Sequence, residues 1–227
     1  MRAVLFDFGG TIDTDGVHWS EKFWEYYERY HIPVPKERFE RAFVQSEKDL
    51  SNDPALERAT FLGTLRKQFS CQFTLLKLQA AGGLLEEVTG ACYQDVSQTI
   101  SGAKNVLEEL RPFYTMGVVS NFYGNLEIVC AEFGLDRYFR VMIDSAAVGV
   151  RKPGKAIFQI ALDRLGVKSS DAFLVGDSYD RDILPAKSLG CRTIWLKGKS
   201  WTSAPSGEAA DHTVLKFADI KAVLLDR

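Results

Sequence analysis

The sequence predicts an α/β fold: a Rossmann-like, doubly wound parallel sheet core with an all-helical cap domain after its first strand. Three observations predict it. Short continuous apolar runs end in polar residues or glycine, as buried parallel strands do. Helical stripes alternate with those runs through residues 101–227. Residues 17–100 carry helical periodicities and no convincing strand.

Taken in chain order, Ala3-Val4-Leu5-Phe6 is the first strand, ended by Asp7 and, after Phe8, by Gly9 and Gly10. Trp19-Ser20 opens an aromatic helix with Phe23, Trp24, Tyr27 and Tyr30 at helical spacing, and Pro33 and Pro35 end it. Helical spacing alone accounts for that stripe, so it reads as bundle core rather than a ligand cage. Further helices are expected over 37–50 and 54–69, and Leu84, Val88, Cys92, Val96 and Ile100 set a fourth. Downstream, Met116-Gly117-Val118-Val119 runs into Ser120-Asn121, Val141-Met142-Ile143 into Asp144-Ser145, and Ala172-Phe173-Leu174-Val175 into Gly176-Asp177. Thr193-Ile194-Trp195-Leu196 ends at Lys197-Gly198, and residues 155–165 place Ile157, Phe158, Ile160, Ala161 and Leu165 on one helical face. The expected division is a core of residues 1–16 and 101–227 and a cap of residues 17–100.

Composition narrows the function. The 227 residues, 46% of them hydrophobic, suit one large domain or a core with a smaller module. A net charge of −2 supplies no basic footprint for nucleic acid and no attraction to an anionic membrane. The first residues run straight into a strand without the pattern of a secretory signal, and no apolar run reaches the ~20 residues of a membrane span. Cys71, Cys92, Cys130 and Cys191 are far apart among apolar neighbours and read as reduced core thiols. A cytoplasmic location is expected. Motifs for dinucleotide and P-loop binding, zinc proteases and serine hydrolases are missing, and His18, His31 and His212 are too few for a multi-histidine metal site.

Ligands of open α/β sheets bind beyond the carboxyl ends of the strands. The residues there are Asp7, Ser120-Asn121, Asp144-Ser145 and Asp177. Singly, each is an ordinary cap or turn former. Their order is more specific: Asp7, then Ser120, then Lys152 in Arg151-Lys152-Pro153, then Asp177 and Asp182 in the run from Gly176 to Asp182.

With that order the whole chain resembles the haloacid dehalogenase-like hydrolase superfamily, whose members are mostly Mg²⁺-dependent phosphatases. The resemblance implies a small phosphorylated metabolite as substrate; charge and composition leave no nucleic-acid or membrane partner to expect, and the chain is expected to be a monomer or homodimer. It implies that Asp7 is the nucleophile forming an aspartyl-phosphate, with Ser120 and Lys152 as its catalytic partners. Gly10, Thr11, Ser120, Asn121 and Lys152 would bind the substrate. Asp7, the Gly9 carbonyl, Asp177 and Asp182 would hold Mg²⁺.

One position departs from the family. Two residues after the nucleophile, its phosphatases carry a carboxylate that protonates the leaving oxygen and then activates water; here that residue is Gly9. Such proton transfer is worth about 10²–10⁴-fold in rate. Asp13, Asp15 and His18 are the nearest replacements in sequence; alternatively, the leaving group needs little protonation. Two other readings stand beside the phosphatase: a catalytically weakened protein that binds a phosphorylated ligand or a partner, and a 2-haloacid dehalogenase. The acidic run ending in Asp182, and the absence of an aromatic residue at position 9, count against the dehalogenase.

Overall fold

The first apolar run, β1 (Ala3–Phe6), lies in the middle of a six-stranded sheet. The computed structural model describes residues 2–51, 53–78, 83–200 and 210–225, so the outermost ends of the expected core, residues 1 and 227, lie outside the described residues. From β1 the chain enters the helical insert, made of α1 (Trp19–Arg29), α2 (Lys36–Leu50), α3 (Phe61–Leu76) and α4 (Leu84–Leu110). It returns through β2 (Thr115–Ser120), α5 (Leu126–Glu132), β3 (Phe139–Asp144), the single turn α6 (Ser145–Val148) and α7 (Ala156–Leu165). It ends with β4 (Ala172–Gly176), α8 (Leu184–Ser188), β5 (Arg192–Leu196), β6 (His212–Val214) and α9 (Ile220–Leu225).

The strand order is β3-β2-β1-β4-β5-β6, and every pairing is parallel. The chain winds one way from β1 through β2 to β3 and the other way from β4. The crevice between the carboxyl ends of β1 and β4 is therefore a topological switch point, where such sheets bind ligands. Alternation along β1 feeds both faces. Ala3 and Leu5 pack with Leu174, Ile157 and Phe158 on one side; Val4 and Phe6 pack with Val118, Val106, Leu107 and Val129 on the other. All four β1 side chains are fully buried, the reason the run is apolar throughout.

Five strands lie where the apolar runs place them. The sixth, β6, was not expected: His212 and Thr213 are exposed and only Val214 is buried, so this edge strand has no apolar run to announce it. The helix expected over 54–69 divides. Pro54–Leu56 is a single 3₁₀ turn, and α3 starts at Phe61 because the Thr60 side chain accepts from Gly63 N and caps it. It continues past residue 69 because Gln72, Phe73 and Leu76 are buried. Likewise α4 passes residue 100, carrying Ala103, Val106, Leu107 and Leu110 beneath the sheet. The aromatic stripe is core: Phe23 meets Phe69 edge-on at 4.7 Å and Tyr27 packs on Phe39 at 4.8 Å. All four cysteines are free thiols, three of them buried and Cys71 half-buried.

Candidate active site

Asp7 leaves β1 at the switch point with its backbone N–H donating to Val175 O on β4. Its Oδ1 accepts from Phe8 N and pairs with Lys152 Nζ, each at 2.7 Å. Lys152 Nζ also meets Asp182 Oδ1 at 2.7 Å and donates to Val119 O at 3.3 Å. Burial works against this ammonium, but Asp182 and Asp7 outweigh it and hold its pKa above that of an ordinary lysine. Asn121 positions the lysine: its Oδ1 accepts from Lys152 N at 2.9 Å and its Nδ2 donates to Lys152 O at 3.1 Å.

Asp177 follows β4. Oxygens of Asp7, Asp177 and Asp182 all lie within 4.8 Å of one another. Burial, then the charges of Asp7 and Asp182, push the Asp177 carboxyl well above the usual range. Burial also pushes Asp182 up to about 6, against the opposing pull of Lys152. Three close carboxylates with one ammonium leave an excess of negative charge and a set of hard oxygen donors, which fits a small divalent cation.

Two glycines make this crowding possible. A Cβ on Gly10, at φ +90°, would collide with the Asp177 carboxylate, and one on Gly176 would come 2.6 Å from Asp182 Cγ. Thr11 is fully buried, accepting from Asp177 N at 3.1 Å and donating to Asp177 Oδ1 at 3.3 Å. Gly10 and Thr11 thus hold Asp177, while Asp7, Gly9, Ser120, Asn121, Lys152 and Asp177 line a cavity of about 1060 Å³ between the sheet and the insert. Trp195 on β5, not singled out in the sequence, donates its indole N–H to Asp177 O at 2.9 Å.

The space beside Gly9 holds an indole. A Cβ there would sit 3.5 Å from Trp19 Cδ1 and 3.6 Å from Nε1. Trp19 Nε1 donates to Asp13 Oδ2 at 2.8 Å, and Gly10 N donates to Asp13 Oδ1 at 2.7 Å. Asp13 is fully buried, and burial pushes its carboxyl up to about 7 against those hydrogen bonds. Asp15 accepts from Phe217 N at 2.6 Å and ties the turn to the C-terminal segment. Of the three replacements for Gly9 nearest in sequence, only His18 lines the cavity. Its Nδ1 accepts from Ser20 N, and burial, then Arg181, lowers it to about 4. Asp144, also at a strand end, is a cap: it accepts from Gly124, Leu126 and Ala146 backbone N–H groups.

The family described as haloacid dehalogenase-like hydrolase matches residues 1–190. The chain belongs to this hydrolase family. Among its relatives is the pyrimidine 5'-nucleotidase YjjG of Escherichia coli, 31% identical over 65% of this chain and 66% of that protein, so the match spans just under two thirds of the relative's length. The fold matches the crystal structure of a dehalogenase with an intermediate complex, at TM-score 0.65 and 20% identity over 99% of this chain and 97% of that one. It also matches the magnesium-bound HAD-hydrolase YfnB of Bacillus subtilis, at TM-score 0.61 and 19% identity over 98% of both chains. Family hydrolases are enzymes, and no helix among the described residues is long and apolar enough to cross a membrane.

Proposed function

We propose that this hydrolase is a Mg²⁺-dependent phosphatase acting on a small phosphorylated metabolite through an aspartyl-phosphate on Asp7. The observation that carries the reading is the Asp7–Lys152–Asp182 chain of 2.7 Å ion pairs beside Asp177. The nucleotidase relative supports phosphoester chemistry. In this reading residues 17–100 form a cap over a core of residues 1–16 and 101–227.

Asp7 Oδ attacks phosphorus, forming the O–P bond as the bond to the leaving oxygen breaks; water then cleaves the acyl phosphate and regenerates the carboxylate. Lys152 and the Ser120 hydroxyl face the phosphoryl oxygens where charge develops. Asp7, the Gly9 carbonyl, Asp177 and Asp182 would hold Mg²⁺, which supplies charge neutralisation for the phosphoryl group when bound.

Gly9 leaves the leaving oxygen without the usual proton donor. Asp13 is committed to Gly10 and Trp19, and Asp15 to Phe217. His18, lowered to about 4, is neutral at pH 7 and a weak base, poorly matched to proton transfer. The proton for the leaving oxygen then comes from water or from the substrate itself. A dehalogenase would use Asp7 but has no need of Asp177 and Asp182, since halide displacement needs neither cation nor proton.

A phosphate-release screen with and without Mg²⁺, using Asp7→Asn as the blank, tests this reading. Mg²⁺-dependent release that Asp7→Asn abolishes is expected. Release that survives Asp7→Asn, or a Mg²⁺-independent loss of halide from 2-haloacids, would overturn it.

A further inference from the structure

The wall of the cavity formed by the insert carries one carboxylate. Glu47 on α2 faces the same space as Asp7, Lys152 and Asp177. Its Oε1 accepts from the Tyr123 hydroxyl at 2.7 Å and from Gln68 Nε2 in a very short contact. Gln68, on α3, is 3% exposed and also donates to the Tyr123 oxygen, while Ser46 Oγ donates to Gln68 Oε1 at 3.2 Å. Tyr123 stands three residues after Ser120, so groups from two insert helices and the phosphate-site loop fix this carboxylate in place. Glu47 Oε2 accepts no side-chain hydrogen bond among the described residues, and it remains for a ligand.

The surroundings of Glu47 set what that ligand is. Phe43, one helical turn earlier on α2, lines the cavity with Phe61 and Trp19, whose rings lie 6.0 Å apart. These are walls for a flat ring. Burial pushes the Glu47 carboxyl above the usual range, opposed by Tyr123, Gln68 and the charges of Arg181 and Arg151. A half-buried acceptor gains from a ligand donor and repels a second anion.

We infer that Glu47 reads the leaving group: the cavity takes a phosphomonoester whose leaving alcohol bears an uncharged ring with an N–H or O–H donor for Oε2, the chemistry of a nucleoside monophosphate. This rests on the phosphatase reading and adds its substrate class. The rival occupant is a second phosphate, drawn by the exposed Arg151 and Arg181 at the cavity rim. That group would face the Glu47 carboxylate.

Glu47→Gln is the decisive variant. Its amide oxygen still accepts from Tyr123 and Gln68, while the atom facing the ligand changes from acceptor to donor. The measurement is kcat/KM for phosphate release from uridine and adenosine monophosphate, glycerol 3-phosphate and a sugar bisphosphate, each against p-nitrophenyl phosphate, which has no donor on its ring. Wild type should favour the nucleotides over the aliphatic phosphates at least tenfold. Glu47→Gln should lower the nucleotide to p-nitrophenyl ratio about tenfold or more. Phe43→Leu, which removes an aromatic wall and leaves the carboxylate, should lower the same ratio. An unchanged ratio in Glu47→Gln, or a preference for the bisphosphate, overturns the inference while leaving the phosphatase reading intact. If no phosphoester is hydrolysed, the phosphatase reading fails and calorimetric binding of uridine monophosphate decides: a tenfold weaker Kd in Glu47→Gln upholds the subsite, and equal or absent binding overturns it.

Discussion

At Gly9 the question is what fills the space of a missing side chain, and the answer is Trp19. An aspartate there starts from an unstrained backbone, φ −73° and ψ 119°, with its Cβ at ordinary contact distance from the indole. Its carboxylate then competes with Asp13 for the indole N–H. Gly9→Asp alone should therefore raise hydrolysis of alkyl phosphates by less than the 10²-fold lower bound for positioned proton transfer. Adding Trp19→Leu should raise it further, whereas activated aryl phosphates gain little in either variant. Equal gains on both substrate classes would show that proton transfer to the leaving group is not what Gly9 lacks. Asp13 yields a pH prediction. Its folded pKa is raised to about 7 from 3.8, so its contribution favours the folded state most below pH ~4 and is lost as pH rises through ~7. Asp13→Asn abolishes that titration and can accept from only one of Gly10 N and Trp19 Nε1. The wild-type advantage in Tm over Asp13→Asn should therefore be larger at pH 5 than at pH 8. A pH-independent difference would refute the assignment. None of this was legible around Gly9 in sequence, because Asp13 and Trp19 meet through a turn whose geometry depends on Gly10 at positive φ.

Among the elements, α4 shows how tertiary packing extends a periodicity. Its N-terminal half buries Val88, Cys92 and Val96 in the insert and its C-terminal half buries Val106, Leu107 and Leu110 against the sheet. One helix thus joins the two parts, and the boundary at residue 100 falls inside it. Gly90 and Gly102 lie in its interior, and a Cβ at either meets nothing within 4 Å. Gly90→Ala and Gly102→Ala should each stabilise the protein by about 0.5–1 kcal/mol through helix propensity and a less flexible unfolded chain. Urea unfolding checks this, and a lower midpoint in either variant would mean that the helix is strained there. The apolar strands were legible because burial on both faces demands continuous hydrophobic residues. β6 and the start of α3 were not, since an edge strand needs one buried residue and a helix start depends on a single cap at Thr60.

For the molecule as a whole, the proposed cation site at the acidic trio predicts a link between stability and cation binding. Without a cation, Asp177 is repelled by Asp7 and Asp182. Asp177→Asn should raise the Tm in chelator, because it removes that repulsion while its amide oxygen keeps the Thr11 contact. Mg²⁺ at ten times its Kd should stabilise wild type by about 1.4 kcal/mol, and Asp177→Asn should lose most of that response. A thermal shift of equal size in both proteins would place the cation elsewhere.

By itself, the sequence determined the class of sheet, the polar ends of its strands, and the ordered set Asp7, Ser120, Lys152 and Asp177 that lines one cavity. Buried parallel strands and charged groups at their carboxyl ends leave a local, one-dimensional trace. Only the tertiary structure decided that Gly10 and Thr11 serve Asp177, that Asn121 clamps the Lys152 backbone, and that an indole stands beside Gly9. It alone brought Gln68 and Tyr123 onto the Glu47 carboxylate. Those arrangements depend on hydrogen bonds between segments distant in sequence, whose pairing is set by how the insert packs over the switch point.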